Sequence, residues 1–256
     1  MTRAELQLVR SLADKRGRTE NGLFVAEGAK LISELRASHL RVRRIYALEG
    51  VFEGPDVETV TPHEMERLSL LKTPGNSLAL IEIPRYRLAD AAPERQLVLA
   101  LDEVQNPGNL GTIIRLADWF GIRDIVCSEN SADCFNPKVV QATMGAILRV
   151  RVHYTDLAAW LAAAAARAVP VYGTFLEGEN IYTADLSAAG IVVMGNEGRG
   201  VSEAAARNVT RKLLIPPYPA DRRTTESLNV AMATGIVCAE FRRRLHTPQP
   251  GGTRKG

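Results

Sequence analysis

Residues 97–115 read Leu97-Val-Leu-Ala-Leu-Asp-Glu-Val-Gln-Asn-Pro-Gly-Asn-Leu-Gly-Thr-Ile-Ile-Arg115. The run Leu97 to Leu101 is apolar at every position, the pattern of a strand covered on both faces. It ends in a polar Pro/Gly loop that feeds a helical stretch. In open parallel sheets, ligands collect at the carboxyl ends of such strands. Asn109 is placed to cap the helix with its side-chain oxygen, while Gly108 and Gly111 permit close backbone approach. Arg115 then lies about one and a half turns into the helix. From pattern alone, a solvated helix arginine is its plainer reading.

The same alternation continues downstream. Strand-like runs at Asp124 to Cys127, Val150 to Tyr154, Val169 to Gly173, Ile191 to Met194 and Leu213 to Ile215 are separated by helical stretches near 110–120, 137–146, 156–167, 202–207 and 227–244. This order predicts an α/β fold around a parallel sheet. Upstream, Ala4 to Asp14 has helical spacing, Gly22 to Ala26 is strand-like and Glu27 to Ala37 is helical again. Val42 to Ala47 and Leu78 to Ile83 read as strands around a helix opened by Thr61-Pro62, with Thr as cap and Pro at the first helical position. These elements make a small α/β unit. The Pro-bearing, charged segment Arg85 to Arg95 reads as the join, which places the domain boundary near residue 95. The stretch 246–256, rich in Pro and Gly without an apolar anchor, is expected to be a flexible tail.

Of 256 residues, 46% are hydrophobic and 24% charged, which excludes disordered and collagen-like classes. Net charge is +3, from 32 basic and 29 acidic residues, so any cationic surface must come from clustering. Residues 1–50 hold ten Lys/Arg against six Asp/Glu. Lys15, Arg16 and Arg18 form one group, and Arg41, Arg43 and Arg44 a second. Two such clusters in one small unit fit a phosphate-contacting surface, although a solvated face accounts for either alone. Cys127, Cys134 and Cys238 form no CxxC pair and no His/Cys cluster, so no metal site or disulfide framework is expected. Reduced thiols imply a cytoplasmic protein. The opening Met1-Thr-Arg-Ala-Glu-Leu6 lacks the apolar core of a signal peptide. The apolar run Leu157 to Ala166 is well short of the ~20 residues of a membrane helix and fits an alanine-rich helix against a sheet.

Two further segments carry chemistry. Ile191-Val-Val-Met-Gly-Asn-Glu-Gly-Arg-Gly200 is a buried strand entering a glycine-rich turn with Glu197 at its centre. A dinucleotide site would show GxGxxG, and an acidic side chain would repel pyrophosphate. The turn suits a neutral or cationic ligand, or is simply a strand-to-helix turn. The last segment runs Leu213-Leu-Ile-Pro-Pro-Tyr-Pro219 and then Ala220-Asp-Arg-Arg-Thr-Thr-Glu-Ser-Leu-Asn-Val-Ala-Met-Ala233. Ser227 and Asn229 bracket Leu228 at the start of a helix. They are placed either to hold a ligand or, for Ser227, to cap the helix.

In order, spacing and content the three segments closely resemble the signature motifs of the SpoU/TrmH family of RNA ribose 2′-O-methyltransferases. The likeness covers roughly residues 97–244, including Phe135-Asn-Pro-Lys-Val-Val-Gln-Ala-Thr-Met-Gly-Ala146. Residues 1–90 more loosely resemble an L30e-like RNA-binding domain. The resemblance implies an S-adenosylmethionine-dependent enzyme acting as a homodimer on structured RNA, ribosomal RNA favoured over transfer RNA. It also implies a deep trefoil knot, which general chain topology argues against. Thr174, Gly195, Asn196, Ile215 and Leu228 match the cofactor pocket. Asn109, Arg115, Glu197, Ser227 and Asn229 match the polar active-site positions. Arginine titrates above ~12, so anchoring a phosphate and supporting a developing oxyanion suit Arg115 better than proton abstraction. Glu197 is a candidate to orient that arginine. Two departures stand out. Asn106 replaces an Asp common in relatives, and the longer stretch Pro217 to Glu226 adds Arg222 and Arg223 as candidate RNA contacts. A catalytically silent RNA-binding or ribosome-assembly protein on the same scaffold is the alternative, against which the intact polar set argues. A nicotinamide-binding Rossmann enzyme is disfavoured because no strand-GxGxxG-helix unit is present.

Overall fold

The computed structural model describes residues 1–219 and 227–246. The chain begins with α1 (Arg3–Ser11), α2 (Lys15–Asn21), β1 (Leu23–Glu27), α3 (Ala29–Arg36), β2 (Val42–Ala47), β3 (Val57–Thr59), α4 (Pro62–Leu68) and β4 (Ser77–Glu82). Thr2 and Thr61 open α1 and α4 by the same reciprocal device. Each hydroxyl accepts the N–H three residues on, and Glu5 or Glu64 reaches back to the threonine N–H. The strands form a sheet in the order β1-β4-β2-β3, antiparallel except for β2 with β3. Its core gathers Val9, Leu12, Val25, Tyr46, Met65 and Leu78.

Two expectations are corrected here. The helix expected from Glu27 starts at Ala29, because Glu27 completes β1 and its buried carboxylate accepts from Ser69 Oγ at 2.7 Å and Leu70 N at 2.8 Å. Arg18, expected on an RNA-facing surface, is only 2% exposed. Its Nη1 donates to the carbonyls of Leu12 and Ala13, and Nε and Nη2 donate to Asp133 Oδ2 at 2.9 and 2.5 Å. A guanidinium this buried, with four of its five N–H groups engaged, is not presented to RNA. It also explains α2, which apolar spacing did not announce: Lys-Arg-Gly-Arg-Thr-Glu-Asn has no hydrophobic side chain, and Arg18 takes the place of one.

The chain continues through β5 (Leu97–Leu101), α5 (Pro107–Trp119), β6 (Asp124–Ser128), α6 (Pro137–Ala142), β7 (Arg151–Thr155), α7 (Leu157–Ala166), β8 (Val171–Asn180), β9 (Gly190–Met194), α8 (Glu203–Ala206), β10 (Arg211–Leu214) and α9 (Val230–His246). Short 3₁₀ turns lie at Leu88–Asp90 and Ala146–Leu148. The second sheet has the order β10-β8-β9-β5-β6-β7, and its pairings from β10 to β6 are parallel, as expected from the apolar strands. Val98, Ala100, Val126, Val171, Ile191 and Val193 share one core with Leu157 and Leu161 of the alanine-rich α7.

Contacts group the chain into two units that do not follow chain order. The first comprises 1–86, 106–115 and 132–151; the second comprises the remainder. Within the first, the ring of Phe24 in β1 packs against that of Phe135, tilted by 34° with centroids 4.7 Å apart, and Gly111 lies so near α6 that an added Cβ would fall 2.4 Å from the Ala142 Cβ. Among the described residues, no helix is long and apolar enough to cross a membrane.

Candidate active site

β9 is buried along its whole length and stops at Met194. The next residue must be glycine, because a Cβ on Gly195 would lie 2.2 Å from both Gly200 C and Val201 N. The loop folds back on itself there. Asn196 and Gly200 exchange two backbone hydrogen bonds of 2.9 Å, and Asn196 Oδ1 accepts from Gly198 N at 2.9 Å and Arg199 N at 3.1 Å. Gly200, at φ 69°, closes the turn in the left-handed region that glycine tolerates. Glu197 is therefore presented from a loop whose shape is set by backbone packing.

The neighbouring wall comes from an irregularity in β8. Lys212 of β10 pairs with Gly173, but Leu213 pairs with Glu179, so residues 174–178 bulge out of the sheet. Gly178 permits this, since a Cβ there would sit 2.6 Å from the Lys212 carbonyl oxygen. Lys212 Nζ lies 5.0 Å from the centroid of the Phe175 ring in that bulge.

Together these elements enclose a cavity of about 570 Å³ at the carboxyl ends of β9 and β10. Such a volume lies within the roughly 300–1,000 Å³ of ligand pockets. Thr174, Gly195, Asn196, Ile215 and Leu228, all expected at the cofactor pocket, line it, as do Glu197 and Ser227. Met194, Leu214, Val230 and Ala233 supply apolar wall; Glu177 and Glu197 supply negative charge, Arg199 and Lys212 positive. An apolar wall suits an adenine and ribose, polar loop backbone suits hydrogen bonding to them, and a carboxylate suits a sulfonium or ammonium. The residues present therefore fit S-adenosylmethionine. The bulge residues Phe175 to Glu177 and the wall residues Arg199 and Lys212 escaped the sequence reading. The expected strand ended at Gly173, and Gly178, now inside β8, is the one residue that could have signalled the bulge.

Two caps differ from expectation. α5 begins at Pro107, so Asn106 caps it, accepting from Gly108 N at 2.8 Å and Asn109 N at 3.2 Å. Asn109 lies one turn further in. α9 begins at Val230, and Asn229, not Ser227, caps it by accepting from Ala231 N at 3.0 Å and Met232 N at 3.2 Å. Asn229 thereby fixes the helix that carries Val230 and Ala233. Arg115 is an exposed residue of α5.

In the first unit a groove of about 720 Å³ is rimmed by His39, Arg41, Arg43 and Arg85, with Leu23, Leu40 and Ile83 beneath. Arg41 lies 3.5 Å from Glu82, whereas Arg43 and Arg85 have no ion-pair partner among the described residues. Lys15 and Arg16 are exposed on α2, and Arg44 is half-buried against Glu58 at 2.5 Å. Arg222 and Arg223, and the expected tail beyond His246, lie outside the described residues. The three cysteines are buried, and burial pushes the Cys238 thiol up to about 12.

Known proteins share this arrangement. The model of the SpoU rRNA Methylase family matches residues 96–239, and that of the MRM3-like substrate binding domain matches residues 4–79. The chain is 31% identical to the 23S rRNA (guanosine(2553)-2′-O)-methyltransferase RlmP of Bacillus subtilis over 240 residues, which cover 91% of this chain and 94% of that relative. It is 37% identical to the 23S rRNA (guanosine-2′-O-)-methyltransferase RlmB of Xanthomonas campestris over 165 residues, covering 62% and 63%. A TrmH-family structure from Porphyromonas gingivalis superposes with a TM-score of 0.87 at 37% identity, over 95% of this chain and 99% of that one. An AdoMet-bound rRNA methyltransferase from Sinorhizobium meliloti does so at 0.83 and 30% identity, over 96% and 97%.

Proposed function

The chain belongs to the SpoU rRNA methylase family, and we propose that it transfers a methyl group from S-adenosylmethionine to a ribose 2′-hydroxyl of ribosomal RNA. The observation that carries this reading is the cavity beyond β9 and β10, whose wall contains Thr174, Gly195, Asn196, Glu197, Ile215, Ser227 and Leu228. The cofactor supplies an activated methyl group, so the protein's task is to orient donor and acceptor and to stabilise charge that develops on the 2′-oxygen. Gly195 to Val201 and the 174–178 bulge hold the donor. Glu197 supplies negative charge at the cavity wall, and Ser227 a hydroxyl for the donor or the ribose. Arg115 and Asn109 are assigned to the acceptor side. A permanently charged guanidinium suits binding of the target phosphate and support of the oxyanion.

RNA recognition we assign to the first ninety-five residues, with residues 96–245 as the catalytic part. The ranges of the two family matches support that division. The cationic groove bearing Arg41, Arg43 and Arg85 supports it too, since Arg43 and Arg85, without an ion-pair partner among the described residues, are what neutralises a phosphate backbone. A homodimer and a trefoil knot formed by the second and third motif regions belong to the same reading. In support of the dimer, Trp119 on α5 and Met232 on α9 are 84% and 64% exposed, apolar surface that a second copy would cover. Light scattering of the purified protein at micromolar concentration tests the dimer. Buried cysteines, with no disulfide among the described residues, support a cytoplasmic place of action as part of the same reading.

The test of the activity offers ribosomal RNA and methyl-labelled cofactor to the purified protein, then subjects the product to alkaline hydrolysis, which cannot cleave beside a 2′-O-methyl group. Labelled, hydrolysis-resistant dinucleotides are expected from the wild type and lost from Arg115→Ala. Label that appears in hydrolysis-sensitive mononucleotides instead would move the methyl group to a base and reject the ribose assignment.

A further inference from the structure

Glu103 leaves β5 with φ 56°, a left-handed conformation that residues other than glycine rarely adopt. It lies outside the cavity lining, yet each of its polar groups is engaged. Its N–H donates to Ser128 Oγ at 2.8 Å, and its carbonyl accepts from Asn196 Nδ2 at 2.8 Å. Its carboxylate accepts from Asn130 Nδ2 at 3.3 Å and from the Arg199 guanidinium. The preceding residue, buried Asp102, accepts from Ser202 N at 2.7 Å. Two adjacent residues at the end of β5 thus grip the 196–202 loop at both ends and in the middle.

The left-handed turn brings the carbonyl and the carboxylate of one residue onto the same loop. The carbonyl claims the amide nitrogen of Asn196, which leaves Asn196 Oδ1 for Gly198 N and Arg199 N. The carboxylate restrains Arg199, the side chain next along that wall. Overall stability is a poor reason for this arrangement, because the Arg199 side chain is 69% exposed and ion pairs in solvent contribute little. Strain retained where a ligand-lining loop is held points to pre-organisation.

We propose that Glu103 is a positioning residue for the methyl-donor cavity: through Asn196 and Arg199 it pre-forms the 196–202 loop before the cofactor arrives. The proposal rests on the reading of that cavity as the S-adenosylmethionine site. The test uses the full chain and two measurements on Glu103→Ala, Arg199→Ala and the double variant.

In cofactor-free protein, hydrogen exchange at the Gly198 and Arg199 amides is expected to speed up at least tenfold in Glu103→Ala, with the Ser202 amide, held by Asp102, and the β9 amides Val192 to Met194 as protected as in the wild type. By calorimetry, the dissociation constant for S-adenosylmethionine is expected to rise about tenfold, the scale of one charge-assisted hydrogen bond. The double variant should lose no more than the worse single one, as coupled partners do. Unchanged loop exchange, additive losses, or loss of protection that spreads into β9 would each overturn the proposal. Failure of the wild type to bind S-adenosylmethionine would reject the function assigned to the cavity instead, while the exchange measurement still decides whether Glu103 sets the loop.

Discussion

The cavity wall at 195–202 and the groove rimmed by His39, Arg41, Arg43 and Arg85 spend their residues in opposite ways. In the wall, shape comes first. Gly195 is squeezed against Gly200 and Val201, and the Asn196 and Arg199 side chains are tied to Glu103. In the groove, charge comes first, and Arg43 and Arg85 carry guanidiniums with no ion-pair partner among the described residues. The difference follows from the chemistry asked of each. Methyl transfer fails when a reacting atom is misplaced by about an ångström, whereas attraction to a phosphate backbone falls off slowly with distance and tolerates moving side chains.

Arg18 is the place to press hardest on that contrast, because it is an arginine of the first unit that is buried and tied by hydrogen bonds as the wall residues are. Arg18→Ala strands Asp133 and opens the carbonyls of Leu12 and Ala13, and should cost about 3–5 kcal/mol in urea unfolding. Arg43→Ala should change stability by less than about 0.5 kcal/mol. Equal losses would erase the distinction between locked and free arginines.

Next in size is Gly195→Ala. Overpacking of ~1–3 kcal/mol should appear as a roughly tenfold to hundredfold weaker affinity for S-adenosylmethionine, with RNA binding retained. Wild-type cofactor affinity would mean that the loop tolerates a shift its packing does not suggest.

A smaller effect is expected from the groove. Replacing Arg41, Arg43 and Arg85 by Gln should flatten the dependence of log affinity on log salt by about 0.7 for each single-stranded phosphate that is no longer neutralised. Cofactor affinity should not move. An unchanged salt slope would remove the groove from RNA recognition.

The smallest effects concern two buried carboxylates of opposite character. In Glu27, burial pushes the carboxyl above its usual range despite hydrogen bonds from Ser69 and Leu70. Its contribution is fully present below the unfolded value of about 4.3 and is lost as pH rises through the folded pKa. In Glu240, hydrogen bonds from Arg243 and then Arg244 hold the carboxyl low, so its contribution is present above the unfolded value and lost as pH falls through the folded pKa. Stability measured from pH 3 to 7 should therefore show Glu27→Gln gaining on the wild type as pH rises and Glu240→Gln falling behind, each by about 1 kcal/mol or less. Parallel curves would show that neither carboxylate differs between folded and unfolded chain.

What the sequence made legible is what neighbours in sequence decide. The all-apolar runs Leu97 to Leu101 and Ile191 to Met194 announced the parallel sheet, and the glycines after β9 announced a tight loop. Even the cap of α5 could be read locally: Asn109 was the wrong asparagine, because Pro107 belongs at the first helical position and so hands the cap to Asn106. Meetings between residues distant along the chain were not legible. Arg18 looked like a surface cation because its partner Asp133 is 115 residues away. The 174–178 bulge depends on Gly178 approaching Lys212 in another strand, and the role of Glu103 on residues 25 to 96 positions downstream. Strand patterns carry no record of such encounters.

The pair between Arg18 and Asp133 also sets a timetable. At about 5–20 residues per second, a ribosome makes Asp133 on the order of ten seconds after Arg18. Until then the nascent amino-terminal segment has a guanidinium meant for burial and no carboxylate to meet it. The first unit is therefore completed late in synthesis, after much of the second sheet's first strands has emerged, and a gene cut at residue 95 should yield a fragment that chaperones hold rather than a finished domain.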